Sequence, residues 1–345
     1  MLKIIFFTLL SVGVAYAGHF DNPLPPWQNY TSEFNGETEL SFPTLKEYEL
    51  AYFYIETNDW GSRSGQAFNQ KYQVSCVAQD SISTGACSGV TDNLSLQFIE
   101  QKTGATHIAL LRGYIEGPEG PQYTFIGKGY SGSKNSNVGL ALLLNDSEIK
   151  KFPSGGVWKS KLILKQYQNL YNKLVYMAGI TVNINLSLTD SKNIRIWFPQ
   201  SHTSTTSVAL SSRTFHPVTV DACLYDGYNS NSNRLDVMFN SQNAGPDNSF
   251  KIANLSSSGR LRYRVRVAPP GNPGALKEVR PGETVTYIGM NRVQTRQVTM
   301  PGLQVPVVCV PWGIELKLLP PQNSLYVMAG HYSDVLTLTL TPSLN

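Results

Sequence analysis

Residues 221–239 read DACLYDGYNSNSNRLDVMF, and residues 298–312 read VTMPGLQVPVVCVPW. Each stretch places one cysteine beside a short apolar run and bounds that run with Gly, Asn, Ser or Pro, which is typical of a strand between turns. After Cys309 the chain holds one more regularly alternating segment, residues 335–341 (VLTLTLT). A β-sandwich domain that begins near residue 205 is therefore expected to end one strand early, and to take its last strand from another chain.

The alternation of residues 335–341 assigns the two faces of this last strand. Leu336, Leu338 and Leu340 share one face, and the threonines between them share the other. The leucines are expected to point into the core and to line a groove for a donor strand. An apolar edge of this kind promotes aggregation unless another chain pairs with it. The alternative is an ordinary C-terminal strand in a complete sheet.

Short strand signals separated by turn clusters recur along the whole chain, for example at residues 107–115, 182–188 and 261–267. Only residues 146–152 have the pattern of a helix, which would be one or two turns long and capped by Asp146 or Ser147. Many short strands at near-regular spacing predict an all-β protein of two immunoglobulin-like β-sandwich domains in tandem, with the C-terminal one lacking its last strand.

The length of 345 residues is enough for two domains. A polar segment, residues 201–206 (SHTSTT), follows an apolar strand that ends at Pro199. The sequence therefore predicts a first domain at residues 18–200, a linker at 201–206 and a second domain at 207–345.

The N-terminus has the pattern of an export signal over residues 1–17. Lys3 precedes an apolar run, residues 4–14, and residues 15–17 (AYA) supply a small-x-small cleavage pattern. The run is too short to span a bilayer. We expect the mature chain to begin near Gly18 and to leave the cytoplasm.

The four cysteines are Cys76, Cys87, Cys223 and Cys309. An oxidising compartment makes disulfides the default, and four cysteines allow three connectivities. A domain boundary near residue 200 selects Cys76–Cys87 and Cys223–Cys309. No Cys-x-x-Cys pair occurs, so a zinc or redox site is not expected.

The sequence contains no arrangement that is typical of catalysis. The five histidines are scattered, and HExxH, GxSxG and P-loop patterns do not occur. We therefore expect a protein that is not an enzyme and that needs neither a cofactor nor a metal.

A row of four arginines contributes much of the net charge of +4. Arg260, Arg262, Arg264 and Arg266 alternate with apolar residues, so they line one face of a strand. That face is expected to be a solvated outer surface. Nucleic acid is not expected as a partner, because the chain is exported and has no platform of interleaved aromatic and basic residues.

Four blocks of sequence together resemble a known family. They are residues 152–164 (FPSGGVWKSKLIL), residues 188–200 (LTDSKNIRIWFPQ) and the two cysteine-bearing stretches. In this order and spacing they are similar to the minor tip subunits of class 5 (alternate chaperone–usher) fimbriae, which include the tip adhesins of colonisation-factor fimbriae and the cable pilus minor subunit. Cys76 and Cys87 also fit the pattern of this family.

The resemblance implies an N-terminal adhesin domain on a C-terminal pilin domain that lacks its final strand. A periplasmic chaperone would fill the gap first, and the N-terminal extension of the major pilin subunit would replace it at the outer-membrane usher. The chain would then be exported through the periplasm to the bacterial surface and occupy the fimbrial tip. There it would bind a host-cell glycan or glycoprotein.

The basic receptor-binding patch of the family has partial counterparts in this sequence. Lys71, five residues before the first disulfide cysteine, matches one basic position. Two further positions that are basic in some members of the family hold Gln168 and Asn169 here. A neutral amide does not bind the carboxylate of an acidic sugar as a cationic side chain does, so the acidic-sugar specificity of the family does not transfer directly to this chain. The nearby residues that would take their place are Lys165, Lys173, Tyr167 and Tyr171.

Two alternatives to an adhesin remain open at this point. The departures at Gln168 and Asn169 are also compatible with a structural minor pilin that initiates the fibre and binds no receptor. A β-sandwich enzyme that acts on carbohydrates is the second alternative, and the absence of a recognisable catalytic arrangement disfavours it.

Overall fold

A computed structural model gives the fold and describes ten stretches of the chain. These are residues 27–37, 47–55, 71–76, 81–87, 93–116, 122–123, 130–131, 138–170, 173–321 and 329–343. The predicted export signal, residues 1–17, lies outside the described residues, as does Tyr171.

The first part of the chain is built from strands and one short helix. The strands are β1 (Trp27–Glu37), β2 (Glu47–Ile55), β3 (Lys71–Cys76), β4 (Asn93–Glu100), β5 (Thr106–Glu116), β6 (Gln122–Tyr123), β7 (Tyr130–Ser131), β8 (Val138–Asn145), β9 (Gly156–Leu170) and β10 (Lys173–Thr189). The helix α1 (Asp146–Ile149) lies between β8 and β9.

The second part consists of further strands and two single 3-10 turns, Ser191–Asn193 and Met290–Arg292. The strands are β11 (Arg195–Trp197), β12 (Val218–Tyr225), β13 (Arg234–Ser241), β14 (Phe250–Asn254), β15 (Arg260–Val267), β16 (Lys277–Val279), β17 (Thr284–Ile288), β18 (Arg296–Val298), β19 (Val307–Leu318), β20 (Tyr332–Ser333) and β21 (Leu336–Ser343).

Hydrogen bonds join the strands of the first part into one ten-stranded sheet. Its main order is β1-β10-β9-β4-β5-β8-β2, and β1 runs parallel to β10. Alternation decides which side chains face inward: in β4 Leu94, Leu96 and Phe98 are buried, and the residues between them are half-buried or exposed. Inward residues from distant strands of the sheet, such as Leu142 of β8 and Val182 of β10, belong to one core, so the sheet folds over on itself.

Two sheets face each other in the second part. One has eight strands, with the main order β11-β12-β19-β15-β14-β20, and the other has three, in the order β17-β13-β21. Phe239 from the smaller sheet packs with Val265 and Trp312 from the larger one in a single core cluster. The indole Nε1 of Trp312 donates to the Ala268 carbonyl at 3.1 Å, so this buried donor is satisfied.

The predicted all-β, two-domain architecture is confirmed. The immunoglobulin-like character of both domains stays a prediction, since the described strands of the first domain form one continuous sheet. The helix ends earlier than predicted, at Ile149, and its cap is Asn145, whose side chain accepts from the Ser147 amide at 2.9 Å. Asn is a preferred cap residue, because its side-chain oxygen accepts from an otherwise unpaired amide.

The chain forms the disulfides Cys76–Cys87 and Cys223–Cys309. This is the pairing that the sequence predicts. The second bond links the neighbouring strands β12 and β19, two inner strands of the eight-stranded sheet. It closes a loop of 86 residues, and the chain-entropy account assigns a bond that closes a loop of this length about 4.5 kcal/mol of stability.

The two cores meet earlier in the chain than the predicted linker at residues 201–206. The first core ends at Leu188 and the second begins at Ile196. Strand β11 pairs with β12, so it belongs to the second domain. An apolar strand next to a boundary fits either neighbour by its pattern, and only its pairing partner decides the domain.

A loop of the second domain, residues 226–232, contacts the first domain directly. Asp226 organises this loop, because its carboxylate accepts from the amides of Tyr228, Ser230 and Ser232 at 2.8–2.9 Å. The side chain of Asn229 is fully buried; its Nδ2 donates to the Gly155 carbonyl at 2.8 Å, and its Oδ1 accepts from the Val308 amide at 3.1 Å. One side chain thus bridges the backbones of both domains.

Further contacts strengthen this joint between the domains. Lys102 donates to the Ser230 carbonyl at 2.6 Å, and the Asp190 amide donates to the Gly227 carbonyl at 2.7 Å. Burial lowers the pKa of Lys102, and the negative charges of Asp226 and Glu100 partly offset this lowering. A Cβ on Gly155 would overlap the Gly227 carbonyl oxygen. The joint therefore requires glycine at this position.

Within the described part of the chain, no helix has the length and apolar character that a membrane span requires. The same residues contain no cluster of three or more His, Cys, Asp or Glu side chains with the geometry of a metal site.

Candidate functional site

Strand β21, the predicted acceptor of a donor strand, begins at a fixed point. Asp334, just before the strand, accepts from the Tyr263 hydroxyl at 2.6 Å, from the Ser241 hydroxyl at 2.7 Å and from the Asn243 amide at 3.0 Å. Burial raises the pKa of Tyr263, and the hydrogen bond to Asp334 raises it further. The Tyr263 hydroxyl therefore stays protonated and donates. Hydrogen bonds to a charged acceptor are the stronger kind.

From that point β21 runs antiparallel to β13. Leu338 lies opposite Phe239, and Leu340 lies opposite Val237. The threonines of β21 are exposed and its leucines are half-buried, as the alternation predicts. The opposing residues Phe239 and Val237 have no exposed surface. Leu336, Leu338 and Leu340 therefore face the core without being covered by it.

Strand β21 is an edge of the three-stranded sheet. Among the described residues its strand partner is β13 alone. In an antiparallel pair, alternate amides and carbonyls of an edge strand point away from the partner strand. Within the described part of the chain, the second side of β21 therefore presents backbone groups that have no strand partner, next to incompletely buried leucines.

A second segment, residues 206–210, has the same character and was not singled out from the sequence. Thr206, Val208 and Leu210 are half-buried, and the residues between them are exposed. Val208 and Leu210 pack against the same core cluster as the leucines of β21. The segment makes no backbone hydrogen bond to any described residue. It has the side-chain alternation of a strand and pairs with none of the described strands.

The signal for this segment was present in the residues TSVAL, in which the larger side chains Thr206, Val208 and Leu210 alternate with the small Ser207 and Ala209. The run is shorter than β12, the strand that follows it, and it comes after a polar stretch. We refer to β21 and residues 206–210 together as the open edge.

The predicted receptor-binding residues lie on strands β3, β9 and β10 of the first domain. Lys165 is directly opposite Ser75, Tyr167 is opposite Gln73, and Lys71 is opposite Asn169. Positions 71, 165 and 167 therefore share one face of the sheet. Lys165 is half-buried, and the other two side chains lie outside the described set.

The register separates Lys173 from these three positions. Lys173 pairs with Leu170, which is on the opposite face from Tyr167. A residue that sequence reasoning missed takes its place: Tyr176 lies directly opposite Tyr167 on β10, and its side chain is 43% exposed. Lys71, Lys165, Tyr167 and Tyr176 are referred to below as the basic–aromatic face.

Two family profiles match most of the chain, and both describe CfaE, a CFA/I fimbrial subunit. The profile of its first domain matches residues 52–191, and the profile of its second domain matches residues 194–344. A curated relative from Escherichia coli, the same CFA/I fimbrial subunit, is 29% identical over 290 residues, which cover 78% of this chain and 76% of the relative.

Solved structures have the same fold. The crystal structure of CfaE, described as the adhesive subunit of CFA/I fimbria of enterotoxigenic Escherichia coli, superposes with a TM-score of 0.65 at 23% identity and covers 93% of each chain. A chain from a chaperone–tip adhesin complex of CFA/I fimbriae biogenesis superposes with a TM-score of 0.60 at 23% identity. It covers 94% of this chain and 99% of the solved one.

Proposed function

Because the chain belongs to the CfaE family of CFA/I fimbrial subunits, we propose that it is a fimbrial tip adhesin whose second domain accepts a donor strand from the major pilin. As a member of this family it is a component of fimbriae that is exported through the periplasm to the bacterial surface, and it is not an enzyme. The first domain binds a host-surface glycan or glycoprotein. The open edge is the observation that carries the assembly part of this proposal.

The open edge supports strand donation on two grounds. Its backbone groups on the far side of β21 are satisfied when an extended segment pairs with them. Its leucines, now half-buried, become fully buried beneath that segment. Burial of four or five donor side chains contributes about 1.5–3 kcal/mol each. The free energy of binding then reaches roughly 10 kcal/mol before the cost of ordering the donor is subtracted. This is similar to the stability of a whole domain.

The resemblance to chaperone–usher tip subunits supplies the order of partners in this proposal. An edge that is unpaired during export promotes aggregation, so a periplasmic chaperone covers it first. The N-terminal extension of the major pilin then replaces the chaperone at the outer-membrane usher. A chain from a chaperone–tip adhesin complex has the same fold as this chain, which is compatible with the first step.

The assembly proposal is tested by supplying the missing strand. The N-terminal segment of the major pilin encoded with this chain is appended after Asn345 through a flexible linker. We expect the melting temperature of the second domain to rise by more than about 10 °C, since 1 kcal/mol corresponds to about 2–4 °C for a domain of this size. Amides of β21 that point away from β13 should also become protected from hydrogen exchange.

The matched control carries aspartate at the donor positions that would face the leucines of the open edge. This control keeps the linker and the length, and it should leave the melting temperature unchanged. Equal melting temperatures for the chain with and without the unmodified donor would refute strand donation at this edge.

The receptor part rests on the basic–aromatic face. Lysines bind carboxylate or sulfate groups of a glycan, and exposed tyrosines stack on sugar rings or pack against apolar groups. The double substitution Lys71→Ser/Lys165→Ser should reduce binding of assembled fimbriae to host cells by at least about tenfold, if each lysine contributes one charged hydrogen bond.

The control for this experiment removes two charges elsewhere, with Arg280→Ser/Arg292→Ser in the second domain, where both side chains are exposed. Its binding should remain within about twofold of the unsubstituted protein, because exposed charges away from a site contribute little. If fimbriae assemble but none of the variants, nor the unsubstituted protein, binds host cells, the structural minor pilin is favoured. The amides at Gln168 and Asn169 are compatible with that alternative.

A further inference from the structure

The outer face of the eight-stranded sheet carries the row of four arginines. Strand β15 alternates strictly: Leu261, Tyr263, Val265 and Val267 are buried in the core, and the arginines between them point to solvent. Arg260 is exposed, and the other three are half-buried. The row therefore lies on the outside of the second domain, on a different sheet from β21.

The neighbouring strands add cations at the same level. Lys251 of β14 is directly opposite Arg262, and Lys317 of β19 is directly opposite Arg264. Like charges that face each other across two strands destabilise a sheet. Outward positions accept any polar residue, so folding alone does not call for two such pairs side by side. The four arginines, Lys251 and Lys317 form the arginine face.

Carboxylates neutralise only part of this face. The Arg266 Nε donates to Glu315 at 2.7 Å, Arg264 lies 2.9 Å from Glu278, and Lys251 lies 2.8 Å from Asp247. Among the described residues, none provides an ion pair for Arg260, Arg262 or Lys317. These three cations remain available to a ligand.

The shape of the face indicates which ligand fits. Arg260 to Arg266 span about 20 Å along a strand that rises about 3.3 Å per residue, and the face is one side of a sheet. The outward residues directly opposite the arginines are the small Ala253 and the charged Lys251, Lys317, Glu315 and Glu278. A protein interface has an apolar centre, which these residues do not supply. An extended, highly charged chain suits the face better.

We propose that the arginine face binds a linear sulfated polysaccharide, with sulfate groups held by Arg260, Arg262 and Lys317. The planar guanidinium of arginine offers paired donors that match the oxygens of a sulfate. This site is separate from the receptor-binding face of the first domain and from the open edge, so it stands or falls independently of both. It would give the adhesin a second attachment to sulfated host glycans.

The experiment measures binding of a heparin octasaccharide to the full mature chain by calorimetry at low and at higher salt. The unsubstituted chain should bind, and its affinity should fall steeply with salt, as expected for exposed charges. The variant Arg262→Ser/Lys317→Ser should bind at least about tenfold more weakly, since it removes two charged hydrogen bonds. The conservative variant Arg262→Lys should bind heparin about threefold more weakly. Lysine keeps the positive charge but lacks the paired N–H donors of the guanidinium.

The matched control is Lys159→Ser/Lys161→Ser, which removes two exposed lysines from β9 of the first domain. It should change the affinity by less than about twofold, because these lysines are outside the arginine face. Unchanged melting temperatures in all variants ensure that affinity, and not folding, is compared.

Five outcomes decide the proposal. A loss confined to the arginine-face variants supports it, as does weaker binding of a hyaluronan oligosaccharide, which carries carboxylates and no sulfate. No saturable binding of heparin by the unsubstituted chain overturns it. Equal losses in the control variant, or equal affinity for polyglutamate, also overturn it, and the last result would assign the face to an acidic protein partner.

Discussion

The three-stranded sheet of the second domain has two edges, and they differ in burial. Both β17 and β21 pair with β13 and with no other described strand. The inward residues of β17 are covered: Val285 is 9% exposed and Tyr287 is 5% exposed. The leucines of β21 stay half-buried. An edge strand is therefore a binding site only where the core behind it is also uncovered.

Contacts from the opposite sheet explain why the inward side chains of β17 are buried. Tyr287 packs against Trp312 with ring centroids 6.2 Å apart, and its hydroxyl accepts from the indole Nε1 at 3.2 Å. Burial raises the pKa of Tyr287 to about 12. The chain then turns through Met290, which is itself buried in the same core cluster. No comparable cover lies over Leu338 in the described part of the chain.

The largest effect is expected at the completed edge. Replacing Tyr287 with alanine should lower the free energy of unfolding by about 3–5 kcal/mol, because it leaves a cavity of aromatic size against Trp312. Denaturant titration measures this loss, which should be the same with and without an appended donor strand. A cost that depends on the donor would mean that the two edges are not independent.

The contacts between the domains determine whether the second domain, with its two edges, unfolds separately from the first. Asn229→Ala should cost about 2–4 kcal/mol, because a buried donor or acceptor left unsatisfied costs about 1–3 kcal/mol and this change leaves the Gly155 carbonyl and the Val308 amide without their partner. Calorimetry should then resolve two transitions where the unsubstituted chain shows one.

The control for this variant is Asn231→Ala in the same loop. Its Nδ2 donates to the Tyr228 carbonyl, and its side chain is only half-buried. It should cost less than about 1 kcal/mol, since water replaces the lost bond. Two transitions in the control, or one in Asn229→Ala, would contradict the bridging role of Asn229.

A smaller effect is expected where β21 begins. Tyr263→Phe keeps the packing and removes the hydroxyl that donates to Asp334, so it should cost about 1.5–3 kcal/mol, the range for hydrogen bonds to charged groups. Hydrogen exchange should become faster at the first residues of β21 and stay unchanged in β17. Faster exchange in both strands would show that Tyr263 supports the domain as a whole.

Patterns of single strands were predictable from the sequence, and relations between segments were not. The alternation of residues 335–341 and of the arginine row assigned faces that the structure has, because a strand repeats every two residues. The cysteine pairing followed from placing a boundary between the two pairs. None of these depends on knowing which strand lies beside which.

Three features needed the pairing itself. The apolar residues of β11 fit either domain until β12 is seen beside them. The half-burial of Val208 and Leu210 depends on a core assembled from distant strands. The face of Lys173 depends on its register with Leu170, and a shift of one residue would reverse it.

The smallest predicted effect is the one that separates the two edges most directly. Leu338→Ala should cost only about 1 kcal/mol in the chain alone, since its side chain is already partly exposed and less apolar area returns to water. With the donor strand in place the cost should rise to about 2–5 kcal/mol, the range for a fully buried leucine.

The neighbouring exposed residue is the control for this comparison. Thr339→Ala on the outer face should stay within about 0.5 kcal/mol in both states, as is usual for surface changes. A full cost for Leu338→Ala in the chain alone would show that the leucine is covered without a donor. The contrast between β17 and β21 would then be one of position only, because both edges would already have a closed core behind them.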